Sequence, residues 1–379
     1  MHMILDHWLS RLLAFLISLL LMFVQVRGHL FVLGFKLFLS SALMTYALLP
    51  AVIRLAHMIG ALDHPDGDRR IHRESTPRVG GVAVFLATNL TLLLNFDFSL
   101  GLKGVCISAI MVALLSLWDD VREIPATVKL LVQLFALFVL MVFGVHAELV
   151  SDSWWGALLE VTVTALWMVG VTNAFNFLDG VNGLAASLAT AVSLLMGVLA
   201  WHTGQTYMLL LTLSVAGAAF GFLPDNARYT RPARIFLGDV GSTYLGWMMA
   251  GIALMGGWSS EGPVRAYAAP VLIFSVMIFD MVYTTISRIR RGDVKSLRQW
   301  VAYVGRDHLH HRLMHLGLSP LQAVVAIVAL TLISGLGALA LVTNTSLYVW
   351  LLLLQAVVIY SLLSLVMVMS QKGDAARRG

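Results

Sequence analysis

The chain has 379 residues, of which 59% are hydrophobic and 12% are charged, and its formal charge is +5. A soluble domain carries roughly twice that share of charge, so a water-exposed globule is excluded. In such a chain the excess of Lys and Arg reports membrane topology rather than nucleic acid. The single cysteine, Cys106, rules out an intrachain disulfide and reads as a small packing residue in an apolar run.

Apolar runs recur at lengths near the ~20 residues that carry a helix across a bilayer. Backbone groups in lipid must bond within their own segment, so these runs are predicted to be helices. The first, 9–26, contains Arg11; no small-x-small cleavage site follows it, which favours a retained helix over a secretory signal. After a second span, 37–58, comes a loop with Asp63-His64-Pro65, Arg69-Arg70-Ile71-His72 and Pro77-Arg78-Val79-Gly80-Gly81. Alone it reads as a topology-setting loop, although basic residues beside a Gly-Gly helix start suit an anion. Spans 80–96 and 101–118 follow, the latter running into Asp119-Asp120-Val121-Arg122-Glu123. Adjacent carboxylates repel unless a cation or proton intervenes. Acids at membrane depth are functional by default, against the plainer reading of a solvated helix end.

Spans 129–145 and 157–174 lead to Asn173-Ala174-Phe175-Asn176-Phe177-Leu178-Asp179-Gly180-Val181-Asn182-Gly183. Asn173, Asn176, Asp179 and Asn182 recur every third position and form one polar face on a continuing helix. That face looks into a cavity, or else forms a buried amide ladder; the two glycines permit a break and close approach to a ligand. Spans 183–201 and 206–223 precede Arg228, Arg231 and Arg234, then Phe236-Leu237-Gly238-Asp239-Val240-Gly241-Ser242-Thr243 at the start of span 239–257. Asp239 is either an N-cap or a ligand for Mg²⁺. Span 266–287 opens the longest polar segment, 288–319, with Arg306-Asp307-His308-Leu309-His310-His311-Arg312. Without cysteines these histidines suit phosphate or sugar hydroxyls better than structural zinc, with a solvated loop as the alternative. Spans 321–343 and 347–369 complete the series.

Twelve spans put both termini on one side, and the charges choose that side. Only Arg27, Lys36, Lys103 and Arg265 lie at the opposite ends, so the positive-inside rule places the five polar clusters in the cytoplasm. The expected fold is all-α, a polytopic integral membrane helical bundle of about 11–12 transmembrane helices. Its parts are an additional N-terminal helix at 1–29, a membrane domain at 30–370 and a short cytoplasmic tail at 371–379.

The clusters together resemble the polyprenyl-phosphate N-acetylhexosamine-1-phosphate transferases, glycosyltransferase family 4. The peptidoglycan phospho-N-acetylmuramoyl-pentapeptide transferase is a more distant relative. The likeness runs from about Leu62 to Ser319 with all the clusters in order, carried above all by Asp119-Asp120, Asn173 through Gly180, Gly238 through Ser242, and His308 through His311. The chain departs from the pattern in having Asn182 where many relatives have Asp, in a long segment from Gly292 to Gly305, and in the additional N-terminal span. Its His-x-His-His form is similar to the branch that uses simple UDP-N-acetylhexosamines.

The resemblance implies transfer of N-acetylhexosamine 1-phosphate, with GlcNAc 1-phosphate preferred, from a UDP-sugar to undecaprenyl or another polyprenyl phosphate, releasing UMP. It implies Asp119, Asp120 and Asp179 as catalytic, and Asn173, Asn176, Lys129, Arg306, His308, His310 and His311 as substrate-binding. It implies Asp239 as the Mg²⁺ ligand, with Mn²⁺ an alternative ion. The two aspartates of the pair are open to either a base or a covalent-nucleophile role. Partners are then the UDP-sugar and the lipid phosphate, with no nucleic acid and a homodimer as the candidate assembly, in the inner (cytoplasmic) membrane with the site facing the cytoplasm. The rivals are a secondary transporter of an anionic solute and a non-catalytic scaffold. Against the transporter, the ionisable residues gather at span ends on one face rather than at the midplane.

Overall fold

The computed structural model describes residues 2–24, 29–63, 75–149, 153–259, 263–296, 299–300, 303, 305, 307–343 and 346–378. Fourteen helices occur among them, with one two-stranded antiparallel ribbon that pairs Leu62 with Pro77 and Asp63 with Thr76. The helices are α1 His2–Phe23, α2 Leu30–Ile59, α3 Gly81–Asn95, α4 Leu100–Val121, α5 Ala126–Val142, α6 Trp154–Leu178 and α7 Leu184–His202. They continue with α8 Thr206–Asn226, α9 Gly238–Met255, α10 Pro263–Ile273, α11 Ser275–Arg291, α12 Leu309–His315, α13 Pro320–Thr343 and α14 Ser346–Arg378.

Six helices (α2, α4, α6, α7, α8 and α13) are long and apolar enough to cross a membrane on their own. Apolar stretches of α1, α3, α5 and α14 are shorter. The protein is a multi-pass membrane protein. The predicted single span at 266–287 is instead two helices, α10 and α11, bent by 75°. Pro270 lies in the last turn before the break and removes one backbone donor from it.

Helix α9 organises the bundle. Fourteen of its eighteen residues, from Val240 to Ala253, are buried, so it faces protein rather than lipid on nearly every side. It packs on α4 and α6. Trp247 donates to Ser108 Oγ of α4 at 2.8 Å, and Trp167 of α6 donates to the Ala250 carbonyl at 3.0 Å. Buried indole N–H groups need such partners, and these fix the depth of three helices relative to one another. The consequence is that α4 and α6 end, and α9 begins, at one end of the bundle.

Local sequence sets those boundaries. Ser99 caps α4 by accepting from Leu102 N–H, and Ser153 caps α6 by accepting from Gly156 N–H. Helix α6 stops at Leu178, so the polar face predicted to continue to Asn182 does not: Asp179 is its C-cap, and Asn182 lies in the turn before Gly183, whose φ is 81°.

Candidate active site

The end of the bundle where α4 and α6 finish holds a cavity of about 360 Å³, lined among others by Asp63, Arg78, Asp120, Asp179, Asn182, Asn226, Phe236 and Asp239. Backbone pairing assembles one wall. Phe236 N–H donates to the Pro77 carbonyl at 2.8 Å, and Gly80 and Gly81 donate to the carbonyls of Phe236 and Leu237 at 2.9 and 2.7 Å. Arg78 is thereby held beside the start of α9.

Gly238 turns the chain into α9 with φ 74°, in the left-handed region, and the space a Cβ would take there is filled by the Arg78 carbonyl and the Asp120 carboxylate. A side chain there would be strained and would also collide. The turn exposes two backbone donors: Asp239 and Val240 N–H point at Asp120, which accepts them at 3.1 and 2.9 Å. The carboxylate of α4 therefore caps α9 from across the bundle, where the helix N-terminus favours negative charge. Arg78 Nε makes a long 3.4 Å contact to the same carboxylate.

Asp239 itself is held by side chains. Its Oδ2 is 2.9 Å from Lys129 Nζ of α5, and its Oδ1 accepts from Asn176 Nδ2 of α6 at 2.9 Å. Asn176 also donates to Ser242 Oγ at 3.0 Å. Lys129 bridges to Asp119, whose other oxygen accepts from Ile124 N–H at 2.8 Å. Asp179 completes the lining; burial, then the negative charges of Asp239 and Asp120, push its carboxyl well above the ordinary carboxylate range.

The histidines form an adjoining arm. His308 Nδ1 donates to Asp280 Oδ2 of α11 at 2.7 Å, and its Nε2 accepts from Arg288 at 3.1 Å. Leu309 N–H donates to Asp280 Oδ1 at 2.6 Å. Arg288 and Arg291 also grip Asp307; against the upward push of burial, these two guanidiniums hold its carboxyl down at about 2. With both ring nitrogens engaged, His308 is a strut. His310 differs: it is 1% exposed, and neither ring nitrogen has a protein partner. Its ring lies against Gly180, where any Cβ would strike it. Burial, then the neighbouring His311 and His308, push its pKa down to about 2, which keeps the ring neutral at physiological pH. His311 stacks at an angle on His310, with ring centroids 4.1 Å apart.

The predicted residues thus distribute unevenly. Asp120, Asp179 and Asp239 line the cavity, and Asp119, Lys129 and Asn176 are tied to Asp239 directly or through Lys129. Asn173 points elsewhere, donating to Gln133 Oε1 at 3.0 Å and to the Val169 carbonyl at 2.7 Å. Arg306 lies outside the described residues. Sequence reasoning treated Arg78 as a topology charge and passed over Asp280 and Asn226. Asp280 carried a usable signal, an acid inside an apolar run, whereas Asn226 carried none.

Carboxylates crowded beside one arginine suit a cation that takes one or two protein oxygens and completes its shell with phosphates and water. Among the described residues no group of three or more His, Cys, Asp or Glu side chains is arranged to hold a metal ion.

The sequence model of Glycosyl transferase family 4 matches residues 102–257, which hold α4 through α9 and most of this site. A probable undecaprenyl-phosphate N-acetylglucosaminyl 1-phosphate transferase of Bacillus subtilis is 32% identical over 320 residues, covering 83% of this chain and 86% of its own. The decaprenyl-phosphate N-acetylglucosaminephosphotransferase of Mycobacterium tuberculosis is 31% identical over 328 residues, covering 76% and 78%. The undecaprenyl-phosphate alpha-N-acetylglucosaminyl 1-phosphate transferase of Escherichia coli is 26% identical over 298 residues, with the same coverage of 76% and 78%.

Proposed function

The chain belongs to glycosyl transferase family 4, among its polyprenyl-phosphate sugar-1-phosphate transferases, and on that premise we propose that it moves N-acetylglucosamine 1-phosphate from UDP-N-acetylglucosamine to a polyprenyl phosphate, releasing UMP. One observation carries this reading: residues from α4, α5, α6 and α9 converge on one polar cavity at an end of a membrane bundle. There a water-soluble donor and a lipid acceptor can meet. A transporter of an anionic solute would place its charged groups near the midplane, between repeats.

In the reaction an oxygen of the lipid phosphate bonds to the sugar-linked phosphorus, and the bond from that phosphorus to the bridging oxygen breaks. UMP leaves with the electron pair. One phosphoanhydride replaces another, so no nucleotide triphosphate is required. The second pKa of a phosphate monoester is about 6, so the acceptor is largely ionised at neutral pH and gains little from a base. Positioning and charge neutralisation are the main tasks. Asp239 and Asp179 would hold Mg²⁺, which when bound offsets the negative charge of the diphosphate. Arg78, held beside the start of α9, would meet the same charge from that side of the cavity. Asp120, occupied by two backbone donors, keeps α9 in register, and Lys129 sets Asp239 against Asp119. His310, neutral and without a protein partner, offers a hydrogen bond to the sugar phosphate. The bias of Lys and Arg toward this end of the spans supports a site on the cytoplasmic side of the inner membrane.

The test combines purified protein, polyprenyl phosphate, Mg²⁺ and a panel of UDP-sugars, with UMP release as the readout. UDP-N-acetylglucosamine is expected to be turned over and Asp239→Asn to lose at least about 100-fold of that rate while remaining folded. Wild-type protein that releases no UMP with any sugar would refute the reading. Asp239→Asn with normal turnover and normal Mg²⁺ dependence would remove that residue from the ion.

A further inference from the structure

Two buried charges are used by none of these steps. Arg11 lies within α1 at 4% exposure, and Asp225 lies in the last turn of α8 at 1%. Arg11 Nη2 reaches Asp225 Oδ2 at 2.5 Å, its Nη1 donates to the Tyr46 carbonyl, and its guanidinium lies over the Tyr46 ring, 3.4 Å from the centroid. The other oxygen of Asp225 takes Arg234 at 3.0 Å, and its carbonyl accepts from Arg234 N–H at 2.9 Å. A buried ion pair gains little stability over well-packed apolar residues, whereas removing one partner is strongly destabilising locally. Charges at such depth point to a role beyond anchoring, and Ser18, which donates to the Ser40 carbonyl at 2.7 Å, already ties α1 to α2.

The role follows from the next residue. Asn226 Oδ1 accepts from Gly183 N–H at 2.6 Å, and its Nδ2 donates to the Ile235 carbonyl at 3.0 Å. It joins the turn that carries Asp179 to the segment that leads into Gly238 and Asp239, two walls of the cavity. Pro224 lies two residues earlier and removes a donor from the final turn of α8. That turn therefore depends on ties from outside the helix. Arg11 supplies one of them.

We propose that α1 is a positioning element of the catalytic cavity, with Arg11 holding Asp225 so that Asn226 sets the distance between the two walls that receive the nucleotide sugar. This rests on the transferase reading above. On this proposal the lipid phosphate, entering from the membrane side, is expected to respond less to that spacing than the nucleotide sugar does.

The test is steady-state UMP release by purified Arg11→Gln, Arg11→Lys and Asp225→Asn, varying each substrate in turn, with thermal unfolding measured in parallel. Arg11→Gln and Asp225→Asn are expected to raise KM for the UDP-sugar about tenfold and to leave KM for the lipid phosphate within about twofold, the signature of lost binding at one substrate only. Arg11→Lys is expected to recover most of the difference. Both KM values unchanged in the folded fraction, even with lowered thermal stability, would make α1 an anchor and overturn the proposal, as would an equal rise in both. If one variant fails to fold, the other decides. Inactive wild-type protein would sink the transferase reading instead, so the two failures are distinguishable.

Discussion

At the end of the bundle remote from the cavity, the described loops are tied by side-chain hydrogen bonds to backbone groups. Tyr207 donates to the Asp97 carbonyl at 3.0 Å, Tyr267 accepts from Glu148 N–H at 2.7 Å, and Gln205 both donates to and accepts from Gly257, at 3.0 and 2.9 Å. At the cavity end four acids, Asp63, Asp120, Asp179 and Asp239, line a space where the one basic lining residue among those described is Arg78. Among the described residues, the remote loops are finished by such pairings. The cavity end keeps an excess of negative charge that only a cation or a proton relieves. Polar residues alone do not distinguish the two ends; an excess of acids over bases does.

The sharpest way to break that contrast is to remove the cation that restrains the acids. Lys129→Met leaves Asp119 and Asp239 facing each other without their shared partner. Turnover is expected to fall by about 10²–10³, the scale of losing one preorganised charged donor, with the protein still monodisperse in detergent. A fall of less than about tenfold would mean that the pairing of Lys129 with Asp239 is incidental to the chemistry.

A smaller effect is expected one step away. Asp280→Ala removes the acceptor that orients His308 and Leu309 N–H. The arm that carries His310 should loosen and turnover should drop by about tenfold, while Asp280→Asn, which keeps an acceptor oxygen for His308, should recover most of it. Equal activity in both variants and wild type would show that His310 is positioned by other contacts.

The sequence exposed these two regions to different degrees. Apolar runs announced nearly every helix, because a bilayer demands long segments that bond internally. The bend at α10 and α11 did not show in hydropathy, since Pro270 interrupts donors and not apolarity. At the site, Asp119, Asp120, Asp179 and Asp239 stood out against an apolar background, but their distinct settings did not. Asp120 is occupied by backbone N–H groups of α9, and no pattern near residue 120 reports what residue 239 donates. Asn173 and Asn176 share one face at three-residue spacing, yet they stand about 60° apart around α6 and about 4.5 Å apart along it, so Asn176 reaches Asp239 at the start of α9 while Asn173 reaches Gln133 of α5. Arg11 showed only as a basic residue in the first apolar run, because nothing near it in sequence predicts Asp225, 214 residues away.

The least effect should come from the finished end. Tyr267→Phe deletes a hydroxyl that accepts one backbone hydrogen bond at an exposed loop. Water can replace it there, so the loss is at most about 1 kcal/mol of stability. Turnover and both KM values should match wild type within experimental error. The measurement is nonetheless discriminating, because Glu148 adjoins α6 and Tyr267 belongs to α10, the helix whose bend leads to α11 and Asp280. Altered kinetics in Tyr267→Phe would mean that motion at the remote loops reaches the histidine arm through α10 and α11. The two ends would then be coupled parts of one device rather than a joint and a site.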